Sequence, residues 1–143
     1  MNEVPFVFVI DTDAYAGNFE REICAYVTGH WDGETHGGDQ AEVFKKEVGD
    51  PEELFGEYIT TAPSDDSYPR QVHADLMWEP QGKGMNSVGI FFEEEPTAVL
   101  ITLMKDRAIK FAKEGRIFDR PVTMKIIGFR LLKRTVKIDE VAI

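Results

Sequence analysis

The sequence predicts a single α+β domain over residues 1–143, a ferredoxin-like β-α-β-β-α-β sandwich with a helical and loop insertion at about residues 30–69, after the first helix. Three observations predict it. Strand and helix signals follow one another in that order. The expected first and third strands, Phe6–Ile10 and Ser87–Phe92, are the most continuously apolar, as strands covered on both faces must be. The expected second strand, Arg70–Glu79, alternates, as suits an edge position. No internal repeat, low-complexity tract or composition break divides the chain. Its length allows burial of roughly two thirds of the surface that the unfolded form exposes.

Phe6-Val7-Phe8-Val9-Ile10 is apolar at consecutive positions and ends at Asp11-Thr12-Asp13. A helix follows, with Asn18 as its cap and Phe19, Ile23, Tyr26 and Val27 at helical spacing, and Gly29 stops it. From His30 to Ser67 the pattern is irregular. Asp39 to Val48 reads as a short helix closed by Gly49. Asp50-Pro51-Glu52-Glu53 then opens a brief helix through Leu54, Phe55 and Tyr58, with an Asp cap and Pro at the first helical position.

Ala62 to Ser67 is a loop, and Arg70 to Glu79 places Val72, Ala74, Leu76 and Trp78 on one face of a strand. Gln81-Gly82-Lys83-Gly84 turns the chain into the next strand, Ser87–Phe92. Pro96-Thr97 opens a long helix with Leu100, Leu103, Met104, Ala108 and Phe111 as its buried stripe, ended by Gly115. Thr123 to Leu132 is a last strand with a bulge at Gly128, and Thr135 to Val141 extends it.

Charge is distributed unevenly. Residues 1–100 hold 21 acids against 5 Lys and Arg, a net of −16, and residues 101–143 hold 5 acids against 11, a net of +6. An acidic body repels nucleic acid and anionic membrane, so neither is an expected partner, whereas a basic last third can hold an anion. Val4 to Ile10 is too short to span a bilayer, and Glu3 stands where a secretory signal carries a base. A single cysteine, Cys24, suits a reducing compartment. The expected location is the cytoplasm.

Two stretches carry a resemblance. One is Phe8-Val9-Ile10-Asp11-Thr12-Asp13-Ala14-Tyr15-Ala16-Gly17-Asn18-Phe19-Glu20-Arg21-Glu22, running on to Cys24-Ala25-Tyr26 and Thr28-Gly29. The other is Asn86-Ser87-Val88 through Phe92, with Pro96-Thr97 and Gly128-Phe129-Arg130-Leu131. Together they resemble small acidic hypothetical proteins of tailed bacteriophages. The resemblance covers about half of the chain and leaves the insertion unmatched. It implies a host-cell setting and carries no activity with it.

Several residues can carry chemistry. Asp11 and Asp13 lie where a central strand ends, and acids at that spacing can share a divalent cation; the same pair also suits a turn cap and a solvated side chain. His30, Asp32, Glu34, His36 and Asp39 flank a Gly-rich loop, with His36 the first choice as a third metal ligand, although the spacing matches no zinc template. His73 and Asp75 share a strand face as a possible acid–base pair, but no nucleophile stands ready beside them. Cys24 falls beside the apolar stripe of a helix, as a small hydrophobe does.

Lys105, Lys110 and Lys113 fall opposite Leu100 and Met104 on the long helix and form a candidate anion site. Phe6, Phe8 and Phe91 could serve as stacking platforms for RNA, but the acids beside them oppose phosphate and core packing accounts for them better. The acidic clusters Glu93-Glu94-Glu95, Asp50 with Glu52 and Glu53, and Asp65-Asp66 are solvated ends and loops that can also meet a basic partner surface.

No catalytic signature emerges. The expectation is a non-enzymatic acidic binding protein without a cofactor, an inhibitor of a host defence or nucleic-acid-handling protein. The alternatives are a metal-dependent phosphodiester or nucleotide hydrolase using Asp11, Asp13 and His36, and a virion structural subunit, for which homo-oligomers are expected.

Overall fold

A computed structural model describes residues 6–31, 37–56, 86–134 and 138–143. The expected strand Arg70–Glu79, with His73 and Asp75, lies outside these residues, as do His36, Asp65, Asp66 and Tyr58.

The fold is α+β. Among the described residues its main sheet has four antiparallel strands: β1 (Phe6–Thr12), β2 (Ser87–Phe92), β5 (Ile126–Arg134) and β6 (Ile138–Val141), in the order β2-β1-β5-β6. Every residue of β1 and of β2 is buried, which is why both read as unbroken apolar runs. Phe8 pairs with Ile90 on one side and Leu131 on the other, so β1 is a central strand. Residues 138–141 form a separate strand paired back on β5, where the sequence suggested a continuation. The register slips between Asp11 and Thr12, whose partners are Gly128 and Ile126. Ile127 is the extra residue of this bulge, adjacent to the expected Gly128, and it is exposed.

Among the described residues four helices accompany the sheet: α1 (Glu20–Thr28), α2 (Gly37–Glu47), α3 (Pro51–Phe55) and α4 (Ala98–Glu114). Asn18 does not cap α1. It belongs to a short 3-10 turn, Ala16–Asn18, and Phe19 takes the cap position with no side-chain bond. Gly29 does stop α1, in the left-handed conformation at φ 79°. Asp50 caps α3 by accepting a hydrogen bond from the Glu52 amide at 2.9 Å. Thr97 caps α4 by accepting from the Leu100 amide at 3.3 Å.

The stripe that α4 buries is Ile101, Met104, Arg107, Ala108 and Phe111. It is rotated from the expected one, because Leu100 and Leu103 are only partly covered and a charged residue takes a core position. Phe6, Phe8 and Ile10 of β1 pack with Ile23 of α1 and with Met104 and Phe111 of α4 in the main core. Burial of each such side chain contributes about 1.5–3 kcal/mol. The opposite sheet face carries a smaller cluster of Val7, Val9, Phe91 and Leu132.

After α4 the chain forms a two-residue hairpin not anticipated from the sequence, β3 (Arg116–Ile117) against β4 (Arg120–Pro121). Its turn residues Phe118 and Asp119 both have positive φ, 54° and 61°, as a hairpin loop of this length requires.

Candidate functional site

Asp11 emerges from the sheet beside Arg130 and Ser87, one from each neighbouring strand. The carboxylate accepts from Arg130 Nε at 2.7 Å, from Arg130 Nη2 at 2.9 Å and from Ser87 Oγ at 2.7 Å. Both members of the ion pair are largely buried, at 7% and 15% side-chain exposure for Asp11 and Arg130. Asp11, expected as a cation ligand, neutralises a guanidinium and joins three strands. Asp13 is exposed, and its carboxylate accepts from the Lys125 amide at 2.7 Å while its own amide donates to the Lys125 carbonyl at 3.1 Å. The two aspartates thus serve the junction of β1 and β5. Among the described residues no three His, Cys, Asp or Glu side chains gather as a metal site.

The three lysines of α4 do not form one open cradle. Lys110 donates to Glu47 Oε2 at 2.6 Å, and Lys105 donates to the main-chain oxygen of Ile143 at 3.2 Å. Lys113 is exposed. The neighbouring Arg107 is buried. Its Nη1 donates to Glu47 Oε1 at 2.9 Å and its Nε to the Tyr26 carbonyl at 3.2 Å. Its guanidinium carbon lies 4.0 Å from the Tyr26 ring centroid. Hydrogen bonds from Lys110 and then Arg107 hold the Glu47 carboxyl below its ordinary range. The clasp joins α1, α2 and α4. The signal that could have found it is spacing, since Arg107 falls three residues after Met104 and four before Phe111.

Cys24 is fully buried, and burial first, then Glu20 and Glu22, push its thiol well above the ordinary value. It is a core residue, as expected.

Two of the acidic clusters adjoin, in sequence, residues that approach each other, while Asp65-Asp66 lies outside the described residues. Phe55 of α3 lies 6.5 Å from Phe92, the last residue of β2, so Glu52 and Glu53 come to the same end of the molecule as Glu93-Glu94-Glu95. Asp50, Glu52, Glu53, Glu94 and Glu95 are exposed, and among the described residues Glu52, Glu53, Glu94 and Glu95 make no ion pair. Two apolar side chains are exposed beside them in sequence, Leu54 at 38% and Val99 at 77%. His30 stands edge-on to Phe55 at 6.4 Å, and burial is the main cause that lowers its pKa.

A second feature was not legible in the sequence. A cavity of about 340 Å³ opens between the first turns of α1 and α2 and the β3–β4 hairpin. Glu22, Asp39, Gln40 and residues 116–119 line it. Gln40 fixes the hairpin to α2 by donating to the Arg116 carbonyl at 2.7 Å, and the Arg116 guanidinium donates to the main-chain oxygen of Asp119.

No protein-family model matches the chain, no curated protein matches it, and no solved structure does. Among the described residues no helix is long and apolar enough to cross a membrane.

Proposed function

We propose that this chain is a non-enzymatic acidic binding protein whose anionic end docks on a basic surface of a protein partner. The observation that carries the reading is the approach of Phe55 of α3 to Phe92, the last residue of β2, which brings Glu52 and Glu53 toward the end of the molecule where Glu94 and Glu95 follow; among the described residues these four make no ion pair, and Leu54 and Val99, near them in sequence, are exposed. Carboxylates left in this way speed encounter with a cationic surface, while the exposed apolar side chains supply contact area once the partners meet. The overall formal charge of −10 acts in the same direction.

The setting in this reading is a phage-infected cell, and the partner is a cytoplasmic host protein of defence or nucleic-acid handling whose basic groove the acidic end occupies. The fold in this reading is the ferredoxin-like β-α-β-β-α-β plan. The order and antiparallel sense of β2, β1 and β5 support it, and β6 stands outside that plan.

The test is capture of partners from host lysate across a salt titration, by the wild-type chain and by Glu52→Lys, Glu53→Lys, Glu94→Lys and Glu95→Lys combined. A partner retained at low salt, released at high salt and lost on charge reversal is the expected result. Retention unaffected by charge reversal, or no salt-sensitive partner, overturns the reading.

A further inference from the structure

Strand β5 outruns its outer neighbour. It extends from Ile126 to Arg134, while β6 pairs only with Leu131 to Arg134. On the inner side β1 accompanies it from Ile126, opposite Thr12, to Lys133, opposite Phe6. Among the described residues no main-chain partner lies along the outer side of Ile126–Arg130. The end of the chain does not fill this gap: Ala142 and Ile143 lie outside β6, and Lys105 of α4 holds the Ile143 main-chain oxygen at 3.2 Å. The open edge is at the Thr12 end of the sheet, whereas the acidic end follows Phe92, which pairs with Phe6 at the other. It therefore stands independently of the proposed docking end.

An open edge is a row of main-chain donors and acceptors, and an extended polypeptide is what satisfies it. Lys, Pro and inward-pointing charge ordinarily protect such an edge, and Ile126-Ile127-Gly128-Phe129 holds none of them. Ile127, the extra residue of the bulge, is 65% exposed. A Cβ at Gly128 would meet nothing within 4 Å, so a second chain has room to approach there.

Two copies related by a two-fold axis near Gly128 set this apolar segment antiparallel to itself. The charges just outside the segment are complementary in that arrangement. Lys125, before β5, and Glu140, in β6, are exposed and make no ion pair among the described residues. The axis carries Lys125 of each copy toward the β6 end of the other. Because β6 occupies the rest of the edge, pairing closes at two copies and does not propagate into a fibre.

We propose that the protein forms a two-fold dimer by antiparallel pairing of Ile126–Arg130 with the same segment of a second copy, joining two four-stranded sheets edge to edge. The test is sedimentation equilibrium of the full chain over a wide concentration range, with amide hydrogen exchange at both extremes. A monomer–dimer equilibrium is expected, with exchange at Ile126–Arg130 slowing as dimer forms. Ile127→Lys should weaken the dimer by roughly tenfold or more, the worth of burying one aliphatic side chain. The melting temperature of the dilute variant should hold, because this side chain is already exposed in one copy. Lys125→Glu should also weaken the dimer, and adding Glu140→Lys should restore it. Adding Glu53→Lys instead gives the same net charge and should not. Combined reversal of Glu52, Glu53, Glu94 and Glu95 should leave the dimer in place, which separates this contact from the docking end. A monomer at every concentration, growth beyond two copies, or a dimer indifferent to Ile127→Lys overturns the proposal. So does equal restoration by Glu53→Lys, or loss of the dimer on reversal of the acidic end.

Discussion

Arg130 closes on Asp11 with two hydrogen bonds, 2.7 Å from Nε and 2.9 Å from Nη2, and does so from the strand next to it inside the sheet. A pair this well covered is held by geometry on both partners, and removing one partner strands the other. Asp11→Ala is therefore expected to destabilise the chain by about 3 kcal/mol, read as a lower denaturant midpoint with an unchanged slope. Replacing Arg130 by Met in that background should restore part of the loss. Independent, additive effects of the two changes would show that the pair is not coupled.

The clasp around Glu47 makes a pH prediction whose sign is determined by its depressed pKa. A carboxyl held below its ordinary value of 4.5 contributes stability that is complete above that value and is lost as pH falls through the lower, folded-state value. Glu47→Gln should lower the melting temperature at neutral pH, because Arg107 and Lys110 lose the shared negative charge and one of its two acceptor oxygens. It should also flatten the acid limb below pH 4.5 relative to wild type. A variant whose acid limb parallels that of wild type would assign the acid sensitivity to other groups.

Gly29 occupies the left-handed region at φ 79°, and a Cβ there would stand 2.5 Å from the Phe44 ring. Gly29→Ala combines backbone strain with a clash against a fully buried side chain. The expected cost is at least ~2 kcal/mol, measurable by thermal or chemical unfolding. A neutral effect would mean that Phe44 can move aside, with α1 and α2 less tightly packed than described.

What could be read in the residues was whatever depends on local pattern. The run Phe6–Ile10 was read as a central strand because a strand buried on both faces cannot alternate, and Asp50-Pro51 opened α3 because capping chemistry is local. Asn18 failed as a cap for a related reason: a short 3-10 turn took up the residues before α1, and no cap bond was needed there. Pairings between distant residues were not legible. Nothing near Asp11 announces Arg130, and nothing in α2 announces that Glu47 receives Arg107 and Lys110. These contacts turned a proposed metal ligand and part of a proposed anion site into internal partners. The cavity was hidden for the same reason, since its walls come from three separate segments. The convergence of two acidic clusters likewise needed the contact between Phe55 and Phe92.

The placement of β1 bears on how a nascent chain would mature. Asp11 waits for Ser87, 76 positions later, and for Arg130, 119 positions later. During synthesis, seven residues of sticky, edge-exposed polypeptide leave the ribosome well before either neighbour exists. Closing such distant segments is slow, and that interval is when chaperone capture or clumping competes with maturation.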